Sequence, residues 1–187
     1  MPPRLELDLT YAARRPWVPA RAQFLRWASG ALAGGLGAPR ARAHAAARTG
    51  AGRAQSVDQG VDQDVDQGRD PAARTVLSVR IVGERGSRAL NACYRRKDRP
   101  TNVLSFEGAG RLPDGRNFIG ELVICAPVVA REARLQGKTL AAHWAHMTVH
   151  GVLHLLGFDH ERAAEAAKMT VREIQILDRL GFSNPYA

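Results

Sequence analysis

Leu5, Leu7 and Leu9 alternate with Glu6 and Asp8, the period-two pattern of a half-buried strand. Over 19–36 the period becomes helical, with Phe24, Leu25, Trp27, Ala28 and Leu32 forming one apolar stripe. Apolar order resumes at 75–82 (Thr-Val-Leu-Ser-Val-Arg-Ile-Val), which predicts a strand. A short helix is expected over 87–94, with Ser87 as its N-cap. Beyond the breaker Pro100, 102–106 reads as a short strand, 108–117 as a polar loop and 120–125 as another strand. Pro127 opens a helix to about 136. Thr139 can cap the next helix, which runs to Leu156 and buries Leu140, Trp144, Met147 and Leu153. The last helix is expected over 161–180, stopped by Gly181, with Met169, Val171, Ile174, Leu177 and Leu180 turned inward. Strands followed by helices predict an α+β fold, a single domain with a small mixed β-sheet packed with helices.

Between 37 and 71 this patterning stops. Ala, Arg and Gly dominate, and then 57–68 repeats a Val-Asp-Gln unit three times. So few large apolar groups cannot offset the entropy of ordering the chain, so we expect a disordered, low-complexity insertion. The Asp spacing lacks the Glu ligand and Gly pattern of a calcium loop. At 187 residues the whole chain, 1–187, fits one domain carrying that insertion. An apolar fraction of 45% with 6% aromatic predicts an aliphatic core. Cys93 and Cys125 form no disulfide framework and are expected to be small buried residues in a reducing compartment. The N-terminal residues carry charges where a signal peptide needs its apolar region, and no apolar run is long enough to cross a bilayer. A cytoplasmic protein with no membrane partner is expected. Its formal charge of +9 favours a polyanionic partner, nucleic acid above all.

Candidate chemistry is concentrated at the end of the Thr139 helix. His150 and His154 are four residues apart, so they share one helix face a turn apart. Gly157 suits a left-handed helix stop, and His160 follows three residues later, placed to close the third side of a site. Three imidazoles with an open fourth position suit one catalytic Zn2+ ion, because a structural zinc is usually enclosed by four protein ligands. Bound zinc lowers the pKa of its water to about 7, which suits hydrolysis of esters, amides or phosphodiesters. His146 and His143, one and two turns earlier, are candidates for second-layer or substrate-facing groups. Asp159 and Glu121 are candidates for holding a ligand imidazole by its other N–H.

The H-x3-H-x2-G-x2-H spacing is also that of metzincin peptidases, whose general base is a Glu directly after the first His. Gly151 stands at that position and cannot shuttle a proton, so a zinc peptidase becomes the second choice. The basic run Arg95-Arg-Lys-Asp-Arg99 feeds an apolar strand, and guanidinium groups meet phosphates by charge-assisted, bidentate bonds. Together with the overall charge, this favours phosphodiester cleavage. Arg95 would stabilise phosphoryl charge, and Lys97 and His146 would contact substrate.

Tyr94-Arg95-x-Lys97-Asp98-x-Pro100-Thr101-Asn102-Val103-Leu104-Ser105-Phe106 resembles a signature of the YbeY family of bacterial endoribonucleases. His143-Trp-Ala-His146 and His150-Gly-x-Leu-His154-Leu-x-Gly157-x-Asp159-His160 carry the same resemblance. The likeness runs from about 75 to 186 and is weaker over 5–36. It implies a metal-dependent, single-strand-specific endoribonuclease that matures ribosomal RNA, notably the 3′ end of the 16S molecule, and serves ribosome quality control. Ribosomal RNA, ribosomal particles and ribosome-associated proteins would be its partners. By the same resemblance His150, His154 and His160 hold zinc and Arg95 is functional, making Arg95 and His150 the candidate catalytic residues. The chain departs from the family in its 37–71 segment, in Glu121 where Asp is frequent, and in Phe158 where Tyr is frequent. A non-catalytic ribosome-assembly factor with a structural zinc is the rival from another class. His146 and Asp159 are the candidates for general acid.

Overall fold

A computed structural model of the chain describes residues 4–12, 18–35, 74–158 and 163–187. The expected insertion at 37–71 lies outside these residues, as do Asp159 and His160. The order of elements is β1 (Leu5–Tyr11), α1 (Arg21–Gly35), β2 (Thr75–Val82), α2 (Glu84–Arg95), β3 (Val103–Arg111), β4 (Asn117–Cys125), α3 (Ala126–Leu135), α4 (Leu140–Leu155) and α5 (Ala163–Arg179). The strands form one mixed sheet in the order β1-β2-β4-β3. β1 and β4 run parallel to β2, and β3 closes the edge antiparallel to β4.

The alternation that predicts the strands also divides the core. Leu7, Leu77, Val79, Ile81, Leu122 and Ile124 join residues of α1, α4 and α5 in the main core. Val82, Leu104, Val123, Cys125 and Val128 form a second cluster, with Leu90 of α2 packed against it. In the main core Phe24 meets Trp144 edge-on, with ring centroids 5.6 Å apart at 90°. Rings buried this fully each contribute on the order of 2–3 kcal/mol through burial, with about 1 kcal/mol more from their edge-to-face geometry.

α4 lies inside the molecule. It packs against α1, α3, α5, β3 and β4, and every residue from His143 to Val149 is buried. A helix covered on all sides needs no single apolar stripe, and the buried residues of α4 run around its whole circumference. Its ends are well defined. Thr139 Oγ1 accepts the Ala142 N–H at 3.2 Å. At the other end Gly157 takes a φ of 90°, its N–H reaches the His154 carbonyl and that of Phe158 reaches Leu153. These two bonds form a Schellman stop. α5 ends the same way at Gly181, with φ 86°.

Several expectations are corrected. Ser87 does not cap α2, which begins a turn earlier after Gly83; Ser87 is buried and exchanges hydrogen bonds with Thr101 at 2.8 and 2.9 Å. The expected polar loop at 108–117 is shortened to a turn at 112–116, because β3 continues to Arg111 and β4 begins at Asn117. Val171 is 53% exposed and Ile174 half-buried, while Glu173 and Ile176 face inward with Met169 and Leu177. Cys93 is exposed; Cys125 is buried, and burial pushes its thiol pKa up.

Candidate functional site at the end of α4

The spacing of α4 brings His150 and His154 together on one face. Their rings lie 4.6 Å apart, with Nε2 of one 3.1 Å from Nε2 of the other. Two nitrogens on a tetrahedral zinc with ordinary Zn–N lengths stand about 3.3 Å apart. The described pair therefore has the spacing of two ligands of one ion. Among the described residues no group of three or more metal-binding side chains gathers. The third expected ligand, His160, lies outside them.

The partner of His150 comes from α5. Its Nδ1 is 2.6 Å from Glu173 Oε1, and Glu173 is 1% exposed. The Tyr186 hydroxyl donates to the other carboxylate oxygen, and His146 Nε2 stands 3.8 Å from it. Burial alone would raise the Glu173 pKa, but the contacts with His146, His150 and Tyr186 outweigh it and hold the carboxyl at about 2. Burial and the adjacent carboxylate push the Tyr186 phenol up. An ionised carboxylate on Nδ1 favours the tautomer protonated there, which leaves the Nε2 lone pair turned to His154.

Neither residue expected to hold a ligand imidazole does so among the described contacts. Glu121 is paired with Arg80 by two bonds of 2.9 and 2.6 Å, and Asp159 lies outside the described residues. Glu173 was legible in principle. It stands four residues after Met169 and four before Leu177, so it is a carboxylate inside an apolar stripe.

His146 is 7% exposed and turns Nε2 toward Tyr186 at 3.4 Å and toward Glu173, not toward open solvent. His143 is 2% exposed and contacts Glu132 of α3 at 2.9 Å. Glu132 also accepts from Asn102 Nδ2, at 3.0 Å to one oxygen and 3.3 Å to the other. Burial raises the Glu132 pKa, but the hydrogen bonds from His143 and Asn102 more than reverse this and lower it. An open cleft of ≈ 420 Å³ runs between Glu132, Lys138, His143, His146, Met147 and Tyr186.

Arg95 closes α2, and Arg96 caps it with a φ of 57°. Asn91 Nδ2 donates to the Arg99 carbonyl at 2.7 Å, and the Ser87–Thr101 bonds tie down the next residues. The basic run is thus a built turn. Arg95 Nη2 reaches the Ser105 carbonyl of edge strand β3 at 3.4 Å. The Ser105 hydroxyl donates to the Gly151 carbonyl, next to His150, at 3.2 Å. Arg95 and Lys97 are exposed, and neither has a carboxylate partner among the described residues. Gly151 itself faces the sheet: a Cβ there would lie 2.8 Å from Leu122 Cδ2 and 3.3 Å from Ser105 Oγ.

An α+β domain whose buried long helix ends in converging imidazoles backed by a sequestered carboxylate is one class of architecture, a histidine centre on a single domain. The family model of Endoribonuclease YbeY matches residues 51–181. The chain belongs to the YbeY endoribonuclease family. It is 43% identical over 190 residues to an Endoribonuclease YbeY of Stenotrophomonas maltophilia (strain K279a), covering 100% of this chain and 96% of that one. A protein of the same name from Alkalilimnicola ehrlichii is 45% identical over 187 residues, covering 98% and 92%. That from Halorhodospira halophila is 58% identical over 113 residues, covering 59% and 73%. The solution structure of TM1509 from Thermotoga maritima has the same fold, at a TM-score of 0.50 and 18% identity, covering 94% of this chain and 89% of that one.

Proposed function

We propose that this protein is a metal-dependent endoribonuclease that cleaves single-stranded RNA, with one zinc ion held by His150, His154 and His160. The observation that carries the reading is the facing of the two Nε2 atoms at 3.1 Å, with His150 held from behind by buried Glu173. Three imidazoles suit zinc, which when bound supplies Lewis acidity and a water acidic enough to ionise near neutral pH. Glu173 accepts the hydrogen bond from His150 Nδ1–H, which would leave Nε2 as the nitrogen that holds the ion. Arg95, reaching along the edge of β3, brings a permanent cation to the phosphoryl oxygens, where charge develops during cleavage. Lys97 and the exposed arginines beside it attract the strand without reading its bases.

Family membership and a charge of +9 both favour RNA over protein as the substrate. The peptidase alternative needs a carboxylate at 151, a position packed against Leu122. The cellular role we propose is late maturation of ribosomal RNA at the 16S 3′ end, with ribosome quality control, in the cytoplasm. Among the described residues no helix is long and apolar enough to cross a membrane.

The test is cleavage of a labelled single-stranded RNA and of its duplex by wild type, metal-stripped protein and His154→Ala. Cleavage confined to the single strand and lost in both altered proteins is expected. Unchanged cleavage by the metal-stripped protein would overturn the metal chemistry. Tight binding to ribosomal particles with no turnover would replace the enzyme by an assembly factor.

A further inference from the structure

Glu173 has two oxygens and two duties. Oε1 accepts from His150 at 2.6 Å, and Oε2 accepts from the Tyr186 hydroxyl. His146 Nε2, at 3.8 Å, is too far to replace that hydroxyl. Tyr186 is itself held on several sides. Its ring stands edge-on to His146, with centroids 5.4 Å apart at 80°, and its backbone N–H donates to Asn184 Oδ1 at 2.9 Å. Lys138, just before α4, donates from Nζ to the Pro185 carbonyl. Tyr186 is 52% exposed as a residue, while its hydroxyl reaches a carboxylate that is 1% exposed. Such a residue contributes little through burial. Its specific contribution is the hydrogen bond at the tip.

We propose that Tyr186 is a positioning residue: its hydroxyl, steadied by the Lys138–Pro185 contact, holds Glu173 in the orientation that keeps His150 Nε2 facing His154. The inference rests on the metal reading above and adds a third layer to it, from segment 184–187 through α5 to α4. A buried carboxylate that lost one of two donors would turn to recover a partner, and any rotation moves Oε1 away from His150. The predicted cost appears in the imidazole before any reaction occurs.

Tyr186→Phe removes the hydroxyl and keeps the ring against His146. Nitrogen NMR of the histidines in metal-free protein, and zinc affinity by chelator competition, are the two readouts. In wild type His150 should be a single tautomer protonated at Nδ1, and in Tyr186→Phe a mixture. Loss of a direct outer partner weakens metal binding by roughly 10–100-fold, so a partner one step further out should cost about three- to tenfold. Lys138→Met should give a smaller change in the same direction and add nothing in the double variant, whereas two merely structural residues would add. Identical His150 nitrogen shifts in wild type and Tyr186→Phe would overturn the inference, as would equal zinc affinity. Should wild type bind no zinc, the metal reading fails and the tautomer measurement alone decides the role of Tyr186.

Discussion

α4 carries two hydrogen-bonded histidine–glutamate pairs, and they are built in opposite senses. At His143 the imidazole is buried, with its side chain 2% exposed, and the carboxylate of Glu132 is 28% exposed. At His150 the carboxylate of Glu173 is buried at 1% and the imidazole is 27% exposed. The pairs differ as well in what stands beyond the ring. Glu132 turns its oxygens to Asn102, so the first pair joins α3, α4 and the start of β3. Beyond His150 stands a second imidazole, His154, at 3.1 Å. A buried carboxylate with a protruding imidazole presents a nitrogen lone pair outward, as a ligand must. A buried imidazole with a partly exposed carboxylate presents no ring nitrogen outward and staples elements together. The same two residue types thus make a centre or a clamp, according to which of them is taken out of water.

The sharpest way to break this comparison is the same substitution at both carboxylates. Glu173→Gln should weaken zinc binding by roughly 10–100-fold, while Glu132→Gln should leave it within about twofold, both measured by chelator competition. Equal losses would mean that both pairs serve the centre. Arg95→Glu should lower cleavage of single-stranded RNA by about tenfold or more, the scale of a lost charge-assisted bond, and flatten its salt dependence. Metal content should be unchanged; loss of metal together with activity would assign Arg95 a structural role.

Stability supplies the smaller effects. Glu132→Gln should cost about 1–2 kcal/mol in denaturant unfolding at neutral pH, since it removes a charged acceptor shared by two elements. The acid limb refines this. The folded Glu132 carboxyl titrates below its ordinary value of 4.5, so its contribution is complete above that pH and is lost as pH falls through the lowered folded pKa. The wild-type advantage over Glu132→Gln should therefore shrink steadily below about pH 4.5. An advantage that stayed constant down to acid unfolding would show that the charge of Glu132 contributes nothing.

What the sequence made legible follows from how local each signal is. β2 is found to the residue because, from Thr75 to Ile81, each buried position alternates with a half-exposed one. α4 is found because Thr139, the four-residue histidine spacing and Gly157 all act within a single turn. The hairpin of β3 and β4 is foreshortened in the sequence reading because Glu107 and Arg111 of edge strand β3 are exposed and Gly108 sits at an irregular register against β4, where polar residues and glycine look like loop. The start of α2 was missed because Ser87, a good cap in isolation, is used in the fold to clamp Thr101. Neither Glu173 nor Tyr186 is read from the sequence as a residue of the site. Their meaning depends on α5 and segment 184–187 returning to α4, a long-range meeting that no local pattern encodes. The face of α5 is rotated for the same reason: the expected stripe takes in Val171 and Ile174, whereas Glu173 and Ile176 are the residues that face inward.

Gly151 sets a limit on where mutation can take this chain. Two ligand-spaced histidines and a helix stop are already in place, and a single base change in a GGA or GGG codon turns glycine into glutamate, the base a peptidase keeps at this position. Yet a Cβ at 151 would stand 2.8 Å from Leu122, against the sheet. A glutamate there would press on the buried Leu122 side chain and on Ser105 Oγ, which holds the Gly151 carbonyl, and would bring a carboxylate into an apolar contact. A short genetic step toward another chemistry thus meets resistance from packing against the sheet.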